Sequence, residues 1–463
     1  MNLEPNFETY EVNKIINKFG NEKAFIEFLQ KNILEFLSSK KRNDMIIGEQ
    51  YYLGNHKILK RKRTIIGEDG NKQEIENLPN NKIVDNQYAR IVDQKNSYLL
   101  SKPMTIFCND EKFMANIETI FNKSFYRLIK NIGEDAINCG ISWLYIFFDE
   151  NGNIDFKRFK PYEILPIWLD EEHTILEYLI RIYNIENYEL NNNKNIITQV
   201  ELYTKSGIQY YILDNQNLIL DNSKGFKPYM YNSYKFPLSW GKIPVISFKF
   251  NSKEIPLINR VKTLQDSLNT IRSDFMNNMQ EDTRNTILIL KNYDGTNLGE
   301  FRKNLSEYGV VKVKTIDGND GGVETLKINI DSNNYELLAK ALKKAIIENA
   351  RGYDCKDEKM GQNPNQMNIQ SVYADIDLDS NLMENEFQAS FETLFYFIKK
   401  YFSYIYKKDF NNINIDVIFN KDILINETEA INNCVKSIGI ISKETIISRH
   451  PWVSNLKKEL NKI

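Results

Sequence analysis

The stretch 256-PLINRVKTLQDSLNTIRSDFMNNM-279 sets the reading of this chain. After Pro256, the apolar residues Leu257, Val261, Leu264, Leu268, Ile271, Phe275 and Met279 step by fours and threes. That spacing gathers them on one face of a helix and matches a helix–helix seam. About 26 residues in this form would extend about 39 Å. A second helical pattern, from about 334 to 351, puts Leu338, Leu342, Ala345 and Ile346 on one face, with Lys340, Lys343, Lys344 and Arg351 largely off it. Between the two helices the pattern changes to short β-rich runs, 286–291, 310–314 and 326–330, with a Gly-rich turn at 317–322.

Downstream, the segment up to 368 is a polar loop bearing Gly, Pro and Asn, with Lys356 and Lys359 in it. Residues 369–406 then read as one long helix of about 55 Å. A strand at 413–419 follows, and Asn426 with Glu429 makes a capping-box start for a terminal helical pair closed by Gly439 and Pro451. Upstream, 21–45 reads as a helix with a Lys-rich end. The turn from Gly67 to Gly70 predicts a hairpin or loop, 86–100 a helix stopped by Lys102-Pro103, and 112–139 a further helix. Strands at 142–148 and 154–159 flank the Asp149-Glu-Asn-Gly152 turn, and short strands continue through 175–250 with turns at 205–207 and 222–225. The fold class is α+β. The chain shows no internal repeats.

The 463 residues suffice for two to four domains and a sizeable core. With 26 Tyr and 26 Phe, the chain is not a disordered one. Sixty basic against 62 acidic residues leave a net charge of −2, which excludes a strongly basic nucleic-acid clamp and permits weak or localised phosphate contact. Cys108, Cys139, Cys355 and Cys434 are scattered without a CxxC pair, so reduced thiols are expected. The N-terminus lacks a signal-peptide pattern, and the longest apolar run, 141–148, is too short to span a bilayer. These features predict a soluble protein made in the cytosol.

Candidate chemistry is sparse. Asp375-x-Asp377-x-Asp379 with Glu386 imitates an EF-hand loop. However, Ser380 stands where that loop needs Gly, and residues two apart on a helix diverge. These carboxylates therefore read as a surface or lumen-facing helix, the alternative being a metal-dependent DNA-processing enzyme. His56, His173 and His450 read as ordinary surface or helix-end histidines, so no catalytic triad stands out. No GxxxxGK[ST] loop occurs, so the chain encodes no P-loop motor. Two basic groups remain: Lys57, Lys60, Arg61, Lys62 and Arg63, and the helix-and-loop set Lys340, Lys343, Lys344, Lys356 and Lys359. Repeated around an axis, the second set would become a ring that attracts a phosphate backbone without gripping it.

Four features together resemble tailed-bacteriophage portal proteins, of the type common in phages of Gram-positive hosts. They are Tyr51-Tyr-Leu-Gly-Asn-His56 with the basic residues after it; the Asn-rich stretch and helix from Asn80 to Pro103; the order helix, β-rich insert, helix, polar loop, long helix across 256–406; and Ile441-Ser-Lys-Glu-Thr-Ile446 followed by His450-Pro-Trp-Val453. The similarity spans nearly the whole chain. It implies a portal fold that assembles as a closed ring of about twelve subunits. Residues 1–255 would form a wing, 256–281 and 334–353 the helical stem, and 282–333 a small α/β clip. Residues 354–368 would be the tunnel loop, 369–406 a long wing helix, and 407–463 a helical crown. It further implies a non-enzymatic head–tail connector without cofactor or metal, placed at the capsid portal vertex of the virion and assembled in the host cytoplasm. Its partners would be double-stranded DNA, the terminase large subunit, a head-completion adaptor, and the major capsid protein with its scaffold, with no membrane involved. Lys340, Lys343, Lys344, Arg351, Lys356 and Lys359 would face the DNA channel. A non-portal minor capsid protein is the structural alternative.

Overall fold

The computed structural model describes residues 22–66, 70–74, 76, 78–188, 194–231, 237–282, 287–291, 322–326, 332–354, 366–421 and 426–453, with single positions at 297, 299, 313, 314 and 460. The chain divides into two compact units. The first draws on Met1–Asn55, Asn86–Lys262 and Ile346–Ile463, the second on His56–Asp85 and Thr263–Ala345.

The helical segment expected at 21–45 is two helices, α1 (Glu22–Ser38) and α2 (Lys40–Tyr52). Ser39 separates them: its backbone is extended and its hydroxyl accepts from the Arg42 N–H. Helix α3 (Gln87–Leu100) starts where expected, with the Asn86 side chain accepting from the Ala89 N–H. The 112–139 helix is likewise two, α4 (Glu111–Ile120) and α5 (Lys123–Cys139), split by Asn122, whose side chain caps the Ser124 and Phe125 N–H groups. Helix α6 (Ile258–Asp282) and α7 (Ser332–Asn349) form as the apolar periodicity predicts. Helix α8 (Gln366–Tyr406) runs unbroken for 41 residues. The terminal pair is α9 (Glu427–Lys436), capped by Asn426, and α10 (Lys443–Arg449), capped by Ser442. Among the described residues no helix is long and apolar enough to cross a membrane.

The first unit is built on antiparallel sheets. Asn217–Leu220, Gly207–Asp214, Lys194–Tyr203, Leu176–Tyr188 and Ile164–Trp168 pair in that order, and Phe226–Pro228 also pairs with Gly207–Asp214. Val245–Lys249, Ile141–Phe148 and Ile154–Phe159 make a separate three-stranded sheet, with the predicted hairpin in it. Alternation along Leu176–Tyr188 divides the core. Ile180 and Ile182 pack with Leu29, Ile33 and Phe36 of α1, while Leu179 joins Trp143, Phe159 and Trp168. Helix α8 presents the buried rings Phe387 and Phe391 to Phe248 of the three-stranded sheet.

The second unit holds most of α6 and α7, the hairpin Thr64–Ile66 with Lys72–Glu74, and the pair Ile287–Lys291 with Gly322–Leu326. Of the strand expected at 326–330, Leu326 ends the observed strand Gly322–Leu326, and 327–330 lie outside the described residues. Most of 310–314 lies outside them.

Candidate channel and assembly site

Helix α6 carries a feature that its apolar pattern hides. Gln265, Asn269, Ser273 and Asn277 lie four apart, so they stack on one side of the helix, and all four are buried. Residues 81–85 run extended alongside. The Asn81 N–H donates to Asn277 Oδ1 (2.7 Å), the Ile83 N–H to Ser273 Oγ (2.9 Å) and the Asp85 N–H to Asn269 Oδ1 (2.9 Å). Gln265 Nε2 closes the ladder on the Asp85 carbonyl at 2.7 Å. The periods match: two extended residues advance about 6.6 Å and four helical residues about 6.0 Å. Each buried polar side chain thus meets a backbone group of the neighbouring segment.

Ion pairs hold the register. Asp85 meets Arg272 at 2.7 Å and Lys343 at 3.1 Å, and Arg61 meets Asp274 at 2.6 Å. His56 departs from the surface position expected of it. It is buried, and its Nδ1 accepts from Asn269 Nδ2 at 2.7 Å.

In the first unit, Asp379 is buried about a third of the way along α8 and collects three cations. Lys95 Nζ of α3 lies 2.9 Å from Oδ2, Arg260 of α6 lies 2.6 Å from Oδ2, and Arg351, just after α7, lies 3.0 Å from Oδ1. Lys95 also donates to the Arg351 carbonyl at 3.0 Å. Burial alone would raise the Asp379 carboxyl, but Lys95 and Arg260 outweigh it and hold the group below the ordinary aspartate value. Burial drives the Lys95 ammonium down to about 8; attraction by Asp379 opposes this, and repulsion from the two arginines adds to it. Three segments distant in sequence are pinned to one carboxylate of a fourth.

A second buried carboxylate, Glu254, sits with Lys41 at 2.5 Å, the His173 ring at 2.7 Å and Lys249 at 3.5 Å. Its burial is outweighed by His173 and Lys41, which bring it to about 2. The neighbouring Gly140 has φ +83, and a Cβ there would lie 2.2 Å from the Glu254 carbonyl oxygen.

The acidic motif does not converge. Asp375 is exposed, Asp377 accepts from the Tyr98 hydroxyl at 2.6 Å, and Asp379 faces its cations. Glu386 lines a separate cleft beside Trp168 and His173. The surface or lumen-facing position expected of the motif is corrected for Asp379, which is buried by its salt bridges. Among the described residues no group of three His, Cys, Asp or Glu side chains could hold a metal ion.

Of the basic residues, Lys340 is exposed and pairs with Glu336 one turn back at 2.7 Å. Lys343 lies on Asp85, Lys344 is exposed on the same helix, and Arg351 is on Asp379. Lys356 and Lys359 lie outside the described residues. In the Lys57–Arg63 cluster, Arg61 and Lys62 are engaged by Asp274 and Glu74, and Arg63 donates to the Pro79 carbonyl. Sequence reasoning missed Lys95, Arg260 and the polar ladder. Only the four-residue spacing of Gln265, Asn269, Ser273 and Asn277 signalled any of them.

Comparison with known proteins gives consistent results. The portal protein of Bacillus phage SPP1 is 26% identical over 461 residues, covering 98% of this chain and 89% of that protein. The portal protein of Clostridium phage phiCD119 is 27% identical over 430 residues, covering 90% of this chain and 91% of that protein. The family described as phage portal protein, SPP1 Gp6-like, matches residues 25–463. With α6 and α7 on either side of a β-containing insert and α8 following, this match shows that the chain belongs to the SPP1 Gp6-like family of phage portal proteins.

Proposed function

We propose that the protein forms a closed ring of about twelve subunits at one capsid vertex, the conduit for packaging and ejection of double-stranded DNA. The family match over residues 25–463 carries this reading. In the ring, 1–255 and the 369–406 helix form the wing, 256–281 and 334–353 the stem, 282–333 the clip, 354–368 the tunnel loop and 407–463 the crown. The pairing of α6 with α7 through Phe275 and Tyr335 supports the stem assignment (ring centroids 5.0 Å apart). The clip docks the terminase large subunit and later the head-completion adaptor, and the ring nucleates procapsid assembly with the major capsid protein and scaffold. The ring works in the virion, is assembled in the host cytoplasm, and acts as a structural platform without catalysis.

Lys340 and Lys344 suit a channel lining. An exposed ion pair such as Lys340–Glu336 contributes little, so Lys340 can exchange it for phosphate contacts. A few cations per subunit attract DNA and still let it slide.

Negative-stain microscopy of the purified protein tests the assembly, with closed rings expected; only isolated subunits or open fibres would refute it. Packaging assays test the lining. Lys340→Glu with Lys344→Glu, or a shortened 354–368 loop, should leave rings intact and lower the yield of filled heads. Normal yield from both would remove these residues from the channel.

A further inference from the structure

Among its described residues, the second unit leaves two apolar surfaces uncovered on α7 and the adjoining face of α6. One is a depression of 410 Å³ lined mainly by Ile83, Ile271, Phe275, Met276, Tyr335 and Ala339, with Arg272, Ser332 and Glu336 also in its wall. Met276 and Met279 are 42% and 49% exposed on the same face of α6, the first in the lining and the second one turn away. The other surface is a ridge on α7, where Leu337 and Leu338 are 64% and 50% exposed. At about 100° per residue, the mean direction of the pocket-lining residues on α7 and that of Leu337, Leu338 and Ala341 lie about 160° apart.

An exposed leucine by itself needs no explanation. A ridge and a depression on opposite sides of one helix are different, because neither can cover the other within a single chain. A foreign partner would cover one and leave the other wet. Repetition of the same chain covers both with one kind of contact, head to tail, and such a contact either closes into a ring or grows as a fibre. The flexible thioethers at the depression suit the seating of branched side chains.

We propose that Leu337 and Leu338 of one copy seat in the depression bounded by Phe275 and Met276 of the next copy. This deepens the ring reading and rests on it. Lys340, about 90° from the depression and about 110° from the ridge, stays outside both contacts, facing away from the Tyr335 side that meets α6.

The test uses the full chain. Leu338→Cys with Met276→Cys, oxidised after assembly, should give a ladder of crosslinked multimers on a non-reducing gel. The wild-type protein, each single variant and a Lys340→Cys/Met276→Cys control should not. Leu337→Asp with Leu338→Asp changes exposed positions only, so circular dichroism should be unchanged while the concentration needed for assembly rises at least tenfold. Closed wild-type rings with no ladder, or normal assembly of the aspartate variant, would overturn this contact and leave the ring standing. A ladder from subunits that build only open fibres would support the contact and overturn the ring.

Discussion

Replacing Asp379 with Asn removes the one negative charge shared by Lys95, Arg260 and Arg351. The two arginines are partly exposed and can turn towards water, so their loss is small. Lys95 is 4% exposed and has no such route. Breaking a buried pair from one side generally costs about 3–5 kcal/mol. Lys95 can escape by giving up its proton, which sets a ceiling. From the folded value of about 8, at about 1.4 kcal/mol per pH unit, neutralisation costs about 1.4 kcal/mol at pH 7 and almost nothing at pH 9. The sign follows from linkage: the unfolded chain holds the Lys95 proton more tightly than the folded one, so raising the pH above 8 favours the fold.

Asp379→Asn should therefore destabilise the first unit by about 1–2 kcal/mol at pH 7, and by much less at pH 9. Adding Lys95→Met should recover more than half of the loss at pH 7. Urea unfolding followed by tryptophan emission reads this directly, because Trp143, Trp168 and Trp240 are buried in the same unit. A loss of about 4 kcal/mol or more at pH 7, or one equally large at pH 9, would refute the argument that Lys95 sheds its proton and so limits the cost.

Glu254 governs an acid limb. Its depressed value of about 2 against an ordinary 4.5 contributes about 3 kcal/mol that is present above pH 4.5 and lost as the pH falls towards 2. Glu254→Gln should flatten that part of the stability–pH curve, measured by thermal melts from pH 6 to pH 3. Asn277→Ala leaves the part-buried Asn81 N–H without its acceptor, at a cost of about 1 kcal/mol, and hydrogen exchange should accelerate at residues 81–85 before it does elsewhere in the second unit. Gly140→Ala meets both a positive φ and the Glu254 carbonyl, so calorimetry should show a loss of about 3 kcal/mol or more, whereas Gly152→Ala, with φ +80 and open space around it, should lose only about 1–2 kcal/mol.

What the sequence determined is local. Helices α6, α7 and α8 were legible because their apolar residues recur within a turn of one another, and the hairpin after Phe148 because Asp149-Glu-Asn-Gly152 admits little else. The same reasoning ran two helices together at Ser39 and again at Asn122, since a capping side chain inside a continuous apolar pattern looks like any exposed polar residue. Burial of polar groups was decided elsewhere. Asn269 and Asn277 are buried because residues 81–85 supply backbone donors to them, and His56 read as a surface histidine although Asn269 meets its ring in the interior. Asp379 was taken for an exposed carboxylate, although Lys95, 284 positions away, is what makes its burial affordable. A charge or amide survives in the interior only with partners of the right geometry, and those partners come from segments that only the tertiary fold brings together.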